Sequence, residues 1–358
     1  MKKSKKAKKP SRISMVDLIR FICAVSIVIH HYAIMYYIDP NGTPNNARFR
    51  SAFVLVEIFL ILSGFFVANH FKKPSRAKLE TKFKTSVQYT LTKYKAYLPL
   101  VALSLILGLI YSFIDRGFSL NALSNELAKF PFELSFNSVF YHSFTVIVHN
   151  PVLWYLSATF IIFPIFCTLS NTSKKYLRNW LYFVFIIIYY TTFWSGDFFS
   201  WPALIRVFAG LALGQLLFDF VNYLKTLKLK KSTKIALQIV EIFCLWSIID
   251  LIIKRGDPLR PTINNPTIFN FLLASFTSLS LLLSKQTCTN KIHSNFFLFL
   301  GKISLPLFIF HYPILWIMHA ILPNLDYKIG LALSLSVSIA FSIMIVAILS
   351  YRNKRQSP

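Results

Sequence analysis

The chain has 358 residues, 55% of them hydrophobic and 16% aromatic, yet only 15% charged. Soluble domains average about 25% charged residues and seldom hold apolar runs of about 18; here such runs recur from end to end, which excludes a water-soluble globular fold. The net charge of +26 sits in short clusters between those runs, the pattern of loops at one membrane face, and argues against nucleic acid as a partner.

In chain order, residues 1–12 form a lysine-rich tail with no cleavage-site pattern after the first apolar run, so that run is expected to remain as a helix. Runs of about 20 residues then predict ten spans, at 13–37, 50–71, 95–114, 150–170, 178–194, 201–222, 234–253, 266–284, 296–321 and 327–350. The expected fold is all-α: a polytopic transmembrane bundle of about ten helices. One membrane domain covers 13–350, and 351–358 form a second short tail. Between spans, residues 72–95 read as a basic loop. The stretch 114–150, with Glu126, Glu133, His142 and His149, reads as an exposed loop that partly re-enters the membrane.

The charge tally supports this count. Ten spans with the N-terminus inside put 29 Lys and Arg residues on the cytoplasmic side against 8 outside. That asymmetry orients both termini to the cytoplasm. Tyr37, Trp180, Trp194 and Trp201 near span ends suit interfacial belts. Cys23, Cys167, Cys244 and Cys288 lie far apart with no CxxC or zinc-type spacing, so neither a disulfide framework nor a metal site is implied. No Gly-rich phosphate loop, GxSxG elbow or HExxH helix is present.

Ionisable residues inside apolar spans cost about 2.5–3.5 kcal/mol each on insertion scales and therefore mark functional sites. The first span carries Asp17, Arg20, His30 and His31. Asp17 and Arg20 share a face and can pair. Arg20 and His31 are eleven residues apart, almost three turns, so they point the same way about 16 Å apart along the axis. A polar cavity shared by these two is expected, with the arginine holding an anionic group and the imidazole suited to proton transfer near neutral pH. The plainer alternative has Arg20 snorkelling to the interface and one histidine bonding a neighbouring helix. Glu57 in the second span needs a cationic partner, with Arg20 or His31 as candidates. Lys93, Lys95 and Arg76 in the basic loop either set topology and touch anionic lipid or hold a polyanionic cofactor. Arg206 in the sixth span and His311 in the ninth complete the buried polar set; Pro313 would loosen the helix beside His311.

Together these segments resemble the integral-membrane acyltransferase 3 family. An Arg-x10-His signature matches Arg20 and His31. An acid–apolar–Phe pattern leading to Ser-Gly-Phe matches Glu57, Phe59, Ser63, Gly64 and Phe65. Leu-Trp-Tyr-Leu appears at Leu153 to Leu156, an arginine followed by Gly-x-x-x-Gly at Arg206, Gly210 and Gly214, and a late element at Ile303, Ser304, His311 and Pro313. Two departures stand out. The basic run before the third span is TKYKAYLP, with Lys93 and Lys95 but Ala96 where an arginine is expected, and Ser157-Ala158-Thr159 replaces an acidic residue after Trp-Tyr-Leu.

The resemblance implies O-acylation of a cell-surface or lipid-linked glycan in a bacterial cytoplasmic membrane, with acetyl-CoA as the cytoplasmic donor. It implies Arg20, His31 and Glu57 as catalytic residues, with His31 acting as base or as acyl carrier. Lys93, Lys95, Arg76 and Arg206 would bind the donor. Trp154, His142, His149 and His311 would meet the acceptor. A transporter or flippase of lipid-linked sugars would share the many helices and buried charges but consume no acyl-CoA. A structural scaffold would have no use for those charges.

Overall fold

The computed structural model describes residues 12–36, 49–72, 75–140, 149–172, 174–193, 200–254 and 267–355. Among them there are helices and no strand. In order they are α1 (Ser14–Tyr36), α2 (Val56–His70), α3 (Leu79–Arg116), α4 (Leu120–Leu127), α5 (Phe130–Leu134), α6 (Trp154–Ser170), α7 (Lys175–Ile188), α8 (Ser200–Thr226), α9 (Lys231–Lys254), α10 (Thr267–Ser284), α11 (Asn295–Ile321) and α12 (Tyr327–Arg355). Short 3₁₀ turns lead into α2 and α6, and a π-helical turn, Tyr189–Phe193, follows α7.

Each of the ten predicted spans coincides with one of these helices, because a lipid environment forces every backbone polar group to bond within its own segment. Among the described residues, eight helices are long and apolar enough to cross a membrane. Two of the ten are shorter in apolar reach. The apolar part of α10 is Ile268–Ser284, and α7 has 14 residues before its π turn.

Two loop expectations are corrected. The basic stretch 72–95 is helical from Leu79 onward, so α3 is 38 residues long and carries Lys82, Lys84, Lys93 and Lys95 in its N-terminal half. Nothing between Leu79 and Leu98 breaks a helix: there is no Gly or Pro until Pro99. The described part of the stretch after α3, up to residue 140, is not a plain loop either. It forms α4 and α5, with Glu126 and Glu133 buried, as is His149. At the other end, α12 runs past the expected limit at residue 350 to Arg355. Trp180 and Trp201 are exposed, as belt residues require, while Tyr37 and Trp194 lie outside the described residues.

Burial orders the helices into a centre and a rim. In α2, 78% of the apolar window is buried, and in α6, α8 and α11 72%, whereas the figure is 17% for α9 and 22% for α12. The centre is built from pairs: α1 against α11, α2 against α8, α6 against α8, and α3 against both α6 and α11. In membranes such pairs are held by close packing, since lipid offers no hydrophobic drive between helices. Gly64 and Gly214 are where α2 and α8 meet. A Cβ on Gly64 would land on the Leu211 carbonyl, and one on Gly214 would land on the Ile61 carbonyl. Both obstacles are backbone, so no side chain can swing aside. Gly64→Ala is therefore expected to cost about 1–3 kcal/mol by overpacking. Thermal unfolding of the purified protein in detergent measures this, and an unchanged midpoint would mean that the two helices are not in contact there.

Candidate functional site

The Asp17–Arg20 pairing appears as expected on the first turns of α1, with Arg20 Nη1 3.6 Å from Asp17 Oδ1. Asp17 is held more closely by Arg12, whose Nη2 donates to it at 2.7 Å. The Arg20 side chain is thus only loosely engaged, and it lines a cavity of about 290 Å³. Four neighbouring helices close that cavity. Ser63 and Phe59 come from α2, Tyr89, Lys93 and Tyr97 from α3, and Tyr155 and Thr159 from α6, with Phe308 of α11 as a further wall. Lys93 Nζ lies over the Tyr89 ring, 5.5 Å from its centroid. Two cations and an aromatic lining suit an elongated ligand with an anionic part.

Three of the residues expected to bind a donor stand elsewhere. Lys95 and Arg76 are exposed and do not line this cavity. Arg206 is fully buried, its Nε donating to Glu57 Oε1 at 2.5 Å, with its guanidinium 5.3 Å from the Trp154 ring centroid. This corrects the partner of Glu57, which is neither Arg20 nor His31. The reason is the helix pairing: α2 packs along α8 and only touches α1. Glu57 also accepts from the Tyr190 hydroxyl at 2.6 Å. Tyr190 carries no signal in the sequence, because it sits in the π turn after α7. Trp154, expected to meet substrate, lies with its ring against the Arg206 member of this ion pair.

His31 occupies the face of α1 that Arg20 occupies, as the spacing predicts, but it does not line the described cavity. It is half-buried among rings. It stacks on His311 with centroids 5.2 Å apart and planes at 29°, and it meets Tyr312 and His30 edge-on at 5.0 Å. The cavity that Arg20 lines is thus not lined by His31. Phe308 lines it, and the Phe308 ring lies 6.0 Å from the His311 ring. His30 faces away, with Nδ1 3.1 Å from the Phe49 carbonyl.

His311 is completely enclosed, and its Nδ1 donates to the Phe308 carbonyl at 2.8 Å. Pro313 has no N–H to offer the Ile309 carbonyl one turn back. Asn150 fills that vacancy, its Nδ2 donating to Ile309 O at 2.8 Å. Asn150 also caps the turn that opens α6, so one side chain ties the loop, α6 and the loosened turn of α11 together. Sequence reasoning passed over Asn150, although a buried proline always leaves such a carbonyl to be satisfied.

His149 belongs to a different cluster. Its Nδ1 donates to Glu133 Oε2 at 2.7 Å and its Nε2 lies 3.0 Å from Glu126 Oε2. Burial raises the Glu126 pKa, but the Lys129 hydrogen bond and charge, with His149 and Arg116, outweigh it and hold the carboxyl below its ordinary value. The cluster fastens α4 and α5 to the bundle and is separate from the His31–His311 pair. His142 lies outside the described residues.

A family model described as an acyltransferase domain matches residues 13–352, nearly the whole chain. The chain belongs to the acyltransferase 3 family. No curated protein and no solved structure matches it. As a multi-pass membrane acyltransferase it must bring an activated acyl donor to an acceptor within one bundle. Arg20 lines the cavity together with Phe308, while His31 stacks on His311, whose ring lies 6.0 Å from that of Phe308.

Proposed function

We propose that this acyltransferase moves an acyl group, acetyl in the simplest case, from cytoplasmic acyl-CoA to a hydroxyl of a cell-surface or lipid-linked glycan. The observation that carries the reading is the cavity that Arg20 and Lys93 both line, among aromatic walls. A thioester donor is long, flexible and anionic at one end, and needs cations at the mouth with a mostly apolar passage beyond. In this reading the protein sits in a bacterial cytoplasmic membrane with both termini and the donor's entry on the cytoplasmic side, a placement that the 29-to-8 asymmetry of Lys and Arg supports. Lys95 and Arg76 would then stand at the same face and draw the donor in by charge. Arg20 holds or polarises the donor. His31 acts as base toward the acceptor or carries the acyl group between the two substrates. Glu57 and Arg206 serve by fixing α2 against α8, which sets the position of Ser63 in the cavity wall. The acceptor approaches from the opposite face, with membrane lipid around the bundle.

The test uses purified protein in detergent with acetyl-CoA and the glycan fraction extracted from the host's membranes. Free thiol is expected to appear in step with glycan-bound acetyl. Movement of a lipid-linked sugar across vesicles without any acetyl-CoA consumption would replace this reading by a transporter.

A further inference from the structure

His311 uses only one of its two ring nitrogens. Most buried polar side-chain atoms have a hydrogen-bond partner, because an enclosed polar atom without one costs free energy. Here Nδ1 donates to the Phe308 carbonyl at 2.8 Å, with the Leu307 carbonyl at 3.3 Å. That bond fixes the proton on Nδ1 and leaves Nε2 as a lone-pair acceptor. Nε2 is enclosed and has no hydrogen-bond partner among the described residues. The fold therefore prepares one imidazole in a defined tautomer with its basic nitrogen free, which is what general-base chemistry needs. Asn150 holds the turn in which this imidazole sits, through the carbonyl that Pro313 leaves open.

We infer that His311 is a further catalytic residue of the acyl transfer, its Nε2 taking the proton of the acceptor hydroxyl. The inference rests on the acyl-transfer reading given above and moves the base from His31 to its stacked neighbour. In the step, the acceptor oxygen attacks the acyl carbon and a C–O bond forms. The bond from the acyl carbon to the donor's sulfur breaks, or its bond to His31 where the acyl group has rested there first. The hydroxyl proton passes to His311 Nε2 and from there to the departing sulfur or ring nitrogen, so that ester and thiol are the net products. His31, half-buried and only 5.2 Å away between ring centroids, is placed to meet the acyl group while His311 handles the proton.

Two variants test this in the native host. His311→Asn keeps a donor toward the Phe308 carbonyl but has no basic nitrogen. His311→Gln keeps a hydrogen-bonding group where Nε2 lies but cannot act as a base. Glycan-bound acetyl is measured by mass spectrometry in cells carrying each variant, and acetyl-CoA affinity is measured on the purified proteins. Both variants are expected to transfer about 10²–10⁴-fold more slowly with donor affinity within twofold of the starting protein. Substantial acetylation in either variant overturns the inference, since a structural role would survive one of the two replacements. Loss of donor affinity together with transfer also overturns it. A deletion strain with unchanged glycan acetylation would instead sink the acyl-transfer reading itself, which keeps the two failures apart.

Discussion

His31→Ala is expected to lower glycan acetylation about 10²–10⁴-fold, the range for removing a group that bonds or exchanges protons with the reacting atoms. His30→Ala is expected to retain near-normal transfer. The two residues are adjacent in sequence and both sit deep in α1, so hydrophobicity, insertion and expression respond almost alike to either change. Their surroundings differ. His30 has its Nδ1 on the Phe49 carbonyl at 3.1 Å, and its loss forfeits a bond worth about 1 kcal/mol. His31 shares its ring face with His311 and its edge with Tyr312. The measurement is acetyl content of surface glycan in cells expressing each variant at matched levels. Equal, full activity in both would remove His31 from the chemistry, and loss confined to His30→Ala would transfer its role by one residue.

The helices were legible because lipid imposes a single rule on length, and a run of about 20 apolar residues has few other outcomes. That rule is silent where a helix leaves the lipid. The first turns of α3 are lysine-rich and so read as loop, yet nothing in them stops a helix already begun at Leu79. The common face of Arg20 and His31 follows from period alone and holds. Which helices lie opposite does not follow from period. Glu57 was expected to answer a charge on α1, but α2 packs on α8, and Arg206 takes that place. Likewise the placing of His31 against His311, away from the cavity that Arg20 lines, depends on α11 packing along α1, a tertiary choice that no spacing records. Glu133 and His149 read as loop residues because their partners arrive from separate short helices across a stretch of mixed polarity. Buried polar side chains were visible as anomalies; their pairings were not.

Arg206→Met is expected to destabilise the protein by about 3–5 kcal/mol, the cost of leaving a buried charge without its partner. Glu57 is 0% exposed and Arg206 1%, so neither can recruit water when the other is removed. The Tyr190 hydroxyl would still donate to Glu57 Oε2, which offsets part of the loss. Adding Glu57→Gln removes the second charge and keeps an acceptor for Tyr190. The double variant is therefore expected to recover more than half of what the single variant loses. Denaturant unfolding in detergent, run on both singles and the double, gives the coupling directly. Losses that simply add would show that the two charges do not sense each other. Recovery would show that the ion pair adds little net stability over a neutral pair, consistent with the large desolvation cost of burying charge. What the pair adds is register. A short, directional contact between Glu57 on α2 and Arg206 on α8, backed by Trp154, allows one axial alignment of two helices that Gly64 and Gly214 let approach to backbone contact. Ser63 lies beside Gly64 and lines the same cavity as Arg20. Acyl transfer by the double variant is then expected to fall even where stability returns, since an uncharged pair of similar volume tolerates sliding of α2 along α8 that the ion pair forbids.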